Sequence, residues 1–570
     1  MSTQPSTTET ALKDLNAAVQ VHLAGFMQSL PLQDSDLAQI RQALLNAPDT
    51  RDKLALIQDT YLRRWVSILQ DGERPDETVA PDPRFSSPQW KELPWFRLIH
   101  ALYDLNSQFI TELAGLPDLP TPVRHRLEFF GRQLVDAMSP ANFAVTNPDA
   151  IAKALSTGGE SLAQGARMLS SDLSRGRISM SDETRFEVGR NLAVTPGEVV
   201  FENELIQLIQ YRPRTGQVHS RPLLIVPPFI NKYYILDLQA HNSFAAFCVD
   251  QGLTTYMISW RNVPGALGHL NWDDYIARGV FDAVEAVKDI SQAKSINALG
   301  YCVGGTLLAT ALAVMAARND ESIHCLTLLA SMLDFSDVGE ISAYVNEDYV
   351  SACERQYSDG GVVPGATLTN AFASLRANEL VWNYVVSKYL MGDVPRAFDL
   401  LFWNSDSANL AGPLYAYYLR NMYLENRLKV PDALRTQGYP VDLRKIVVEA
   451  MVVAARDDHI VPWRTAYHSA RILGGETRFV LAASGHVAGM INSPTAKRRS
   501  FWTSTADVLP EDPENWLGDA GQTQGSWWPH WVDWLRPHAG ETVAAPLKAG
   551  NQRYKPIEAA PGRFVRERPD

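Results

Sequence analysis

Gly300-Tyr301-Cys302-Val303-Gly304-Gly305 stands between a short apolar run, Ser295-Ile296-Asn297-Ala298-Leu299, and an alanine- and leucine-rich stretch from Thr306 to Met315. The first reads as a short buried strand and the second as a buried helix. Strand, glycine-flanked turn and helix, in that order, make the shape of a nucleophile elbow, G-x-nucleophile-x-G, with cysteine at the nucleophile position. Glycine is needed on both sides because so sharp a turn brings backbone against backbone. The turn lifts the Cys302 side chain above the end of a sheet. It also aims the next amide, Val303 N–H, at whatever the sulfur attacks. A small core cysteine is the competing reading of the hexapeptide taken alone. The flanking strand and helix favour the elbow.

Outward from the elbow, strands alternate with helices. Glu198–Phe201, Leu205–Tyr211, Arg221–Val226 and Thr254–Trp260 read as strands, and Asp273–Ser291 as a helix with Ile276, Val280, Val284, Val287 and Ile290 on one face. Cys325–Leu329 is the strand after the elbow helix. The alternation stops between about Asp334 and Pro440, in an aromatic, proline-bearing insertion. It resumes with the strand Ile446–Ala454, a helix from Trp463 to Leu473 and the strand Arg478–Leu481. This pattern predicts an α/β-hydrolase fold, a mostly parallel doubly wound sheet, over residues 183–570. The insertion at about 334–440 is expected to be a cap subdomain. Its aromatics are either core for the cap or lining for a substrate. Residues 1–182 are expected to form a helical N-terminal domain, with helical spacing at Ala17–Leu23, Leu54–Leu62 and from Trp95 to Leu134.

Two further pieces follow the elbow in the order this fold requires, acid and then histidine. Asp457-Asp458-His459-Ile460-Val461-Pro462 comes after one strand, and Ser484-Gly485-His486-Val487 after the next. The spacing to Val461-Pro462 selects Asp458 over Asp457, which reads as a solvated loop carboxylate. Gly485 gives the loop the freedom to bring His486 over the elbow. His459 beside the acid is read as structural. The second oxyanion donor comes from the loop Pro227-Pro228-Phe229-Ile230-Asn231. Prolines carry no N–H, which leaves the amides of Phe229 and Ile230, with Ile230 favoured. A free thiol ionises near pH 8.5, so a base is needed to generate the thiolate. Attack of a thiolate on a thioester conserves the activation of the acyl group. Cysteine in this frame therefore points to acyl transfer from a thiol carrier.

At 570 residues the chain is expected to hold more than one domain, and 46% hydrophobic residues suit a globular protein. The formal charge of −12 and the lack of a basic stripe argue against nucleic acid as a partner. No transmembrane segment is expected, because no uncharged apolar run reaches 18 residues. The start, Met1 to Ser6, is polar and lacks the apolar centre of a signal peptide. The four cysteines, Cys248, Cys302, Cys325 and Cys353, show no metal-ligand spacing, and no metal or cofactor is expected. Free thiols fit the cytoplasm. Trp527, Trp528, Trp531 and Trp534 cluster near the end and read as core packing.

These segments together resemble the polyhydroxyalkanoate synthases, most closely the single-subunit class I enzymes. The resemblance rests on Gly300–Gly305, Pro227–Leu238, Leu380–Val386, Asp399–Asn404, Asp458–Trp463 and Ser484–Gly489, and it runs from about Asp82 to the C-terminus. It implies (R)-3-hydroxyacyl-coenzyme A as substrate, of short chain such as 3-hydroxybutyryl-coenzyme A, polymerised to polyester with release of coenzyme A. It implies that Cys302 carries the growing chain and that His486 activates the thiol. Asp458 then either helps deprotonate the 3-hydroxyl of the bound unit or only orients the imidazole. A homodimer at the surface of cytoplasmic polymer granules is also implied. Arg376 matches a position that looks like a coenzyme A contact, and equally reads as a surface arginine. Two rival functions stand beside this one: a cysteine-type esterase or thioesterase that uses the same three residues, and a catalytically silent granule-associated scaffold.

Overall fold

The computed structural model describes residues 34–46, 48–71, 82–116, 119–505 and 508–568. The helix expected over Ala17–Leu23 lies outside them. Two compact units are present.

The first unit is helical and takes in the described residues up to Ile178, together with Ser342–Tyr344 and Arg376–Val394. Its main helices are α1 (Asp34–Asn46), α2 (Pro48–Asp71), α3 (Pro94–Gly115), α4 (Thr121–Ala137), α5 (Pro148–Ser156) and α6 (Glu160–Arg175). Local chemistry sets their ends. Pro94 opens α3 at a position where its missing N–H costs nothing. The Asn147 side chain caps α5 by accepting from the amides of Asp149 and Ala150. Gly176 closes α6 in the left-handed conformation. The outlying segments are bound in by specific contacts. The Tyr344 ring meets Phe129 and Phe130 edge-on at 5.4 and 5.7 Å. The buried Lys388 ammonium pairs with the buried Asp172 carboxylate. The Tyr389 hydroxyl donates to the same carboxylate at 2.6 Å.

The second unit, Ser179–Ile341, Val345–Leu375 and Pro395 onward, is built on an eleven-stranded sheet. Its strands are β1 (Gly197–Glu202), β2 (Ile206–Tyr211), β3 (Leu223–Val226), β4 (Thr255–Trp260), β5 (Ile296–Tyr301), β6 (Ile323–Leu329), β7 (Glu449–Ala455), β8 (Thr477–Ala482), β9 (Ser500–Thr503), β10 (Gly521–Gln524) and β11 (Glu558–Ala559). They lie in the order β10-β9-β8-β7-β6-β5-β3-β4-β2-β1-β11. From β8 to β4 every pairing is parallel. The outer pairings are antiparallel. Parallel strands are covered on both faces, and β5 is accordingly buried at every residue.

Register decides where the loops emerge. Val226 stands opposite Gly300, Tyr301 opposite Leu329, Leu329 opposite Val453, and Ala455 opposite Ala482. The C-terminal ends of β3, β5, β7 and β8 thus line one edge of the sheet. The loops bearing Ile230, Cys302, Asp458 and His486 all leave from that edge, as this class of fold requires.

The helices on this unit include α7 (Asp282–Ser291), α8 (Val303–Ala317), α9 (Gly412–Tyr418), α10 (Trp463–Ile472), α11 (His486–Met490) and α12 (Trp528–Leu535). The predicted helix over Asp273–Ser291 forms, with a π-helical stretch at Tyr275–Phe281. Helix α8 is apolar all round and is buried from Val303 to Met315. Within the insertion, Phe402, Trp403, Tyr415 and Tyr418 are buried core. Trp382, Tyr384 and Tyr389 belong to the helical unit.

Candidate active site

The elbow has the backbone its sequence demands. Cys302 sits at φ 52°, ψ −130°, a conformation that a non-glycine residue adopts at a cost of about 1–3 kcal/mol. Its neighbours hold it there. The Cys302 amide donates to the Leu329 carbonyl at 2.9 Å, and the Cys302 carbonyl accepts from the Gly305 amide at 2.9 Å. A Cβ on Gly300 would run into the Gly305 backbone. A Cβ on Gly304 would run into the carbonyl oxygens of Val226 and Pro227. The second contact has a functional consequence. The start of α8, with Val303 at its first position, is pressed against the end of β3 and the loop that follows it. The first amides of a helix have no acceptor within the helix, and its dipole favours negative charge there. The Cys302 side chain is half-buried.

The loop after β3 is fixed by bonds to its own backbone. Trp260 Nε1 donates to the Pro227 carbonyl at 2.9 Å, and Trp403 Nε1 to the Lys232 carbonyl at 2.7 Å. The buried Lys232 ammonium pairs with Asp406 at 2.8 Å, and the Tyr234 hydroxyl donates to Asp406 at 2.9 Å. The Phe229 ring packs on Trp260 and Tyr275. Ile230 lies between these anchors, and its carbonyl accepts from Ala408 at 3.4 Å.

Asp458 and His486 form the other half of the site. Asp458 is 8% exposed and His486 7%. Oδ1 of Asp458 accepts from the amides of Ile460 and Val461, both at 2.8 Å. Oδ2 accepts from His486 Nδ1 at 2.7 Å. The Asp458 side chain exposes no surface. A carboxylate accepts and cannot donate, so Nδ1 carries a proton and Nε2 is the nitrogen left to take one. After Asp458, the Cys302 sulfur is the next charge that bears on the imidazole. Burial pulls the imidazole pKa down, yet the Asp458 carboxylate and the Cys302 sulfur outweigh it and hold it well above the usual histidine range. Asp457 is exposed, and His459 stands beside the acid while His486 makes the bond to it.

Gly485 is not where the loop bends. The left-handed residue is Ser484, at φ 83°, while Gly485 has φ −87°. The bend is set by the bond from the Asp457 amide to the Ser484 carbonyl at 3.0 Å, which ties the histidine loop to the acid loop. The tryptophan cluster also bears on this loop. Trp527 Nε1 donates to Gly489 O at 3.0 Å and Trp528 Nε1 to Met490 O at 2.9 Å, both carbonyls of α11. Core packing is therefore only part of what these residues do, and no sequence signal links them to residues so far back in the chain.

Cys302, Val303, Ile230, Asp458 and His486 thus all belong to the second unit. Arg376 belongs to the helical unit, where it pairs with Glu379 at 3.2 Å. Among the described residues no cluster of His, Cys, Asp or Glu could hold a metal ion, and no helix is long and apolar enough to cross a membrane.

Comparison with known proteins adds identity to this geometry. Residues 81–248 match the family described as the N-terminus of poly-beta-hydroxybutyrate polymerase (PhaC), and residues 221–493 match the alpha/beta hydrolase fold. The chain is 48% identical over 522 residues to the poly(3-hydroxyalkanoate) polymerase subunit PhaC of Cupriavidus necator, covering 90% of this chain and 88% of that one. It is 38% identical to poly(3-hydroxyalkanoate) polymerase 1 of Ectopseudomonas oleovorans, covering 86% and 88%. Among solved structures, a monoacylglycerol lipase from Paleococcus ferrophilus overlaps 58% of this chain and 99% of its own, at 14% identity and a TM-score of 0.32.

Proposed function

The chain belongs to the poly(3-hydroxyalkanoate) polymerase family, and we propose that it polymerises 3-hydroxyacyl units from coenzyme A into polyester by way of a thioester on Cys302. His486 Nε2 takes the proton of the Cys302 thiol. The thiolate attacks the substrate thioester carbonyl, and the oxygen that gains charge faces the amides of Val303 and Ile230. Collapse breaks the bond to coenzyme A, whose sulfur leaves with the proton held on His486. The acyl group stays on Cys302. The 3-hydroxyl of an incoming 3-hydroxyacyl-coenzyme A then attacks it, giving its proton to His486; the ester bond forms as the thioester to Cys302 breaks, and the departing Cys302 sulfur takes that proton back.

Asp458 acts through His486. Its fully covered side chain supports this role, because both oxygens are engaged by Ile460, Val461 and His486. The observation that carries the whole reading is the His486–Asp458 bond on the same sheet edge as the strained Cys302 elbow. The reading extends to short acyl chains, to coenzyme A contact by Arg376, to a cap over the site from about 334–440, and to a homodimer at the surface of cytoplasmic granules. These rest on family membership.

The purified protein supplied with (R)-3-hydroxybutyryl-coenzyme A is expected to release coenzyme A and deposit insoluble polyester, and Cys302→Ala to do neither. Free 3-hydroxybutyrate as the main product would make it a thioesterase. Unchanged release in Cys302→Ala would remove the cysteine from the mechanism.

A further inference from the structure

Tyr301 precedes the nucleophile, and the acyl-transfer scheme gives it no task. Its side chain is 0% exposed. Its ring lies along the imidazole of His486, with centroids 5.6 Å apart and planes at 22°. That is the offset stack favoured between aromatic faces. Its hydroxyl has no hydrogen-bond partner among the described residues, so it is the ring and not the oxygen that the site engages. Burial, then the Cys302 sulfur and the Asp458 carboxylate, push the phenol well above its ordinary range, which keeps it neutral.

We propose, building on the roles given above to Cys302 and His486, that Tyr301 is a positioning residue whose ring face sets the plane of the His486 imidazole and favours its protonated form. The imidazole is then held from two directions. Asp458 fixes Nδ1 and the Tyr301 ring covers one face, which leaves Nε2 to exchange the thiol proton. When the thiol proton moves from Sγ to Nε2, the imidazole gains a positive charge beside an aromatic face that carries partial negative charge. A neutral imidazole gains less, so the ring favours the ionised pair. The same proton later leaves with the coenzyme A sulfur, and the ring returns to stacking on a neutral partner. The titratable groups facing His486 are the Asp458 carboxylate on the loop after β7, the Cys302 thiol on the elbow and the Tyr301 phenol at the end of β5.

The test uses the full chain with isotope-labelled histidine, the His486 resonance being assigned by its loss in His486→Gln. In Tyr301→Leu the pH at which His486 loses its proton should fall by about one unit, a tenfold change in equilibrium. The kcat for coenzyme A release should fall with it at unchanged KM. Tyr301→Phe should match the parent in both. If the leucine variant does not fold, phenylalanines of increasing fluorination at position 301 keep the shape and weaken the ring face in steps, and the titration should move down in step. A titration that stays in place when the face is weakened overturns the inference, as does a Tyr301→Phe shift equal to that of leucine. A His486 titration that ignores Cys302→Ala contradicts the pairing itself and sinks both readings. One that responds to Cys302→Ala and not to the ring sinks only this one.

Discussion

Replacing Asp458 by asparagine keeps the shape of the site and should nearly abolish its chemistry. The direction follows from which atoms Asp458 already binds. Its Oδ1 accepts from two backbone amides, those of Ile460 and Val461, at 2.8 Å. An asparagine must keep its oxygen there, or turn an amide group against two N–H donors and leave buried groups unpaired. Its NH2 group therefore faces His486 Nδ1, where Asp458 now accepts at 2.7 Å. Nδ1 must then accept, which leaves the proton on Nε2, the nitrogen that has to take the thiol proton. The imidazole is held in the wrong tautomer. Loss of the same charged partner in an analogous triad costs about four orders of magnitude in turnover. Here we expect kcat for coenzyme A release to fall about 10³–10⁴-fold, or about 4–5.5 kcal/mol in the barrier, with KM close to the parent value. Steady-state release of coenzyme A, with thermal melting to confirm the fold, reads both. A variant within tenfold of the parent in kcat would refute the reasoning.

Other outcomes follow from contacts elsewhere in the chain. Trp527→Phe removes the indole bond to the Gly489 carbonyl and leaves that buried oxygen unpaired, costing about 1–3 kcal/mol of stability; because it loosens the helix that carries His486, kcat should fall more than KM changes. Lys388→Met removes the buried ammonium that pairs with the buried Asp172 carboxylate, which keeps the Tyr389 hydroxyl, and should destabilise the helical unit by about 3 kcal/mol, measured by denaturant unfolding; the double replacement Lys388→Met with Asp172→Asn should recover part of that loss. The raised pKa of His486 also predicts a pH signature. The folded protein holds that proton more tightly than the unfolded chain. The resulting stability is complete below the unfolded imidazole value of about 6.5 and is lost as the pH rises through the higher folded value. The melting temperature of the parent, compared with that of His486→Gln, should therefore decline across that window, and a difference independent of pH would count against the ion pair.

The elbow could be read from the sequence because its constraint is local. Glycines at 300 and 304 are required by backbone contacts within a few residues or across a single strand, and the hexapeptide displays them directly. The order of acid and histidine was legible for a related reason: each follows a strand whose apolar run is unmistakable. The loop geometry was not. Gly485 drew attention as the flexible residue, but the bend falls on Ser484, because a bond to Asp457 from another loop decides it. The supports of the site were hidden for the same reason. Lys232 with Asp406, and Trp527 with Gly489, are pairs far apart in the chain whose meeting depends on sheet register and helix placement. The insertion was recognisable as a break in alternation. Its division was not, since Arg376–Val394 groups with the helical unit through contacts such as Lys388 with Asp172, which no periodicity announces.

The claim on which the account turns is that the acyl group passes through the sulfur at position 302. The direct measurement is peptide mapping by mass spectrometry after brief reaction with (R)-3-hydroxybutyryl-coenzyme A and acid quench. The peptide containing Cys302 should carry one or more hydroxybutyryl units, removable by hydroxylamine, and the peptides containing Cys248, Cys325 and Cys353 should carry none. Polyester formed while Cys302 stays unmodified at every time point, or an adduct found on another residue, would contradict it.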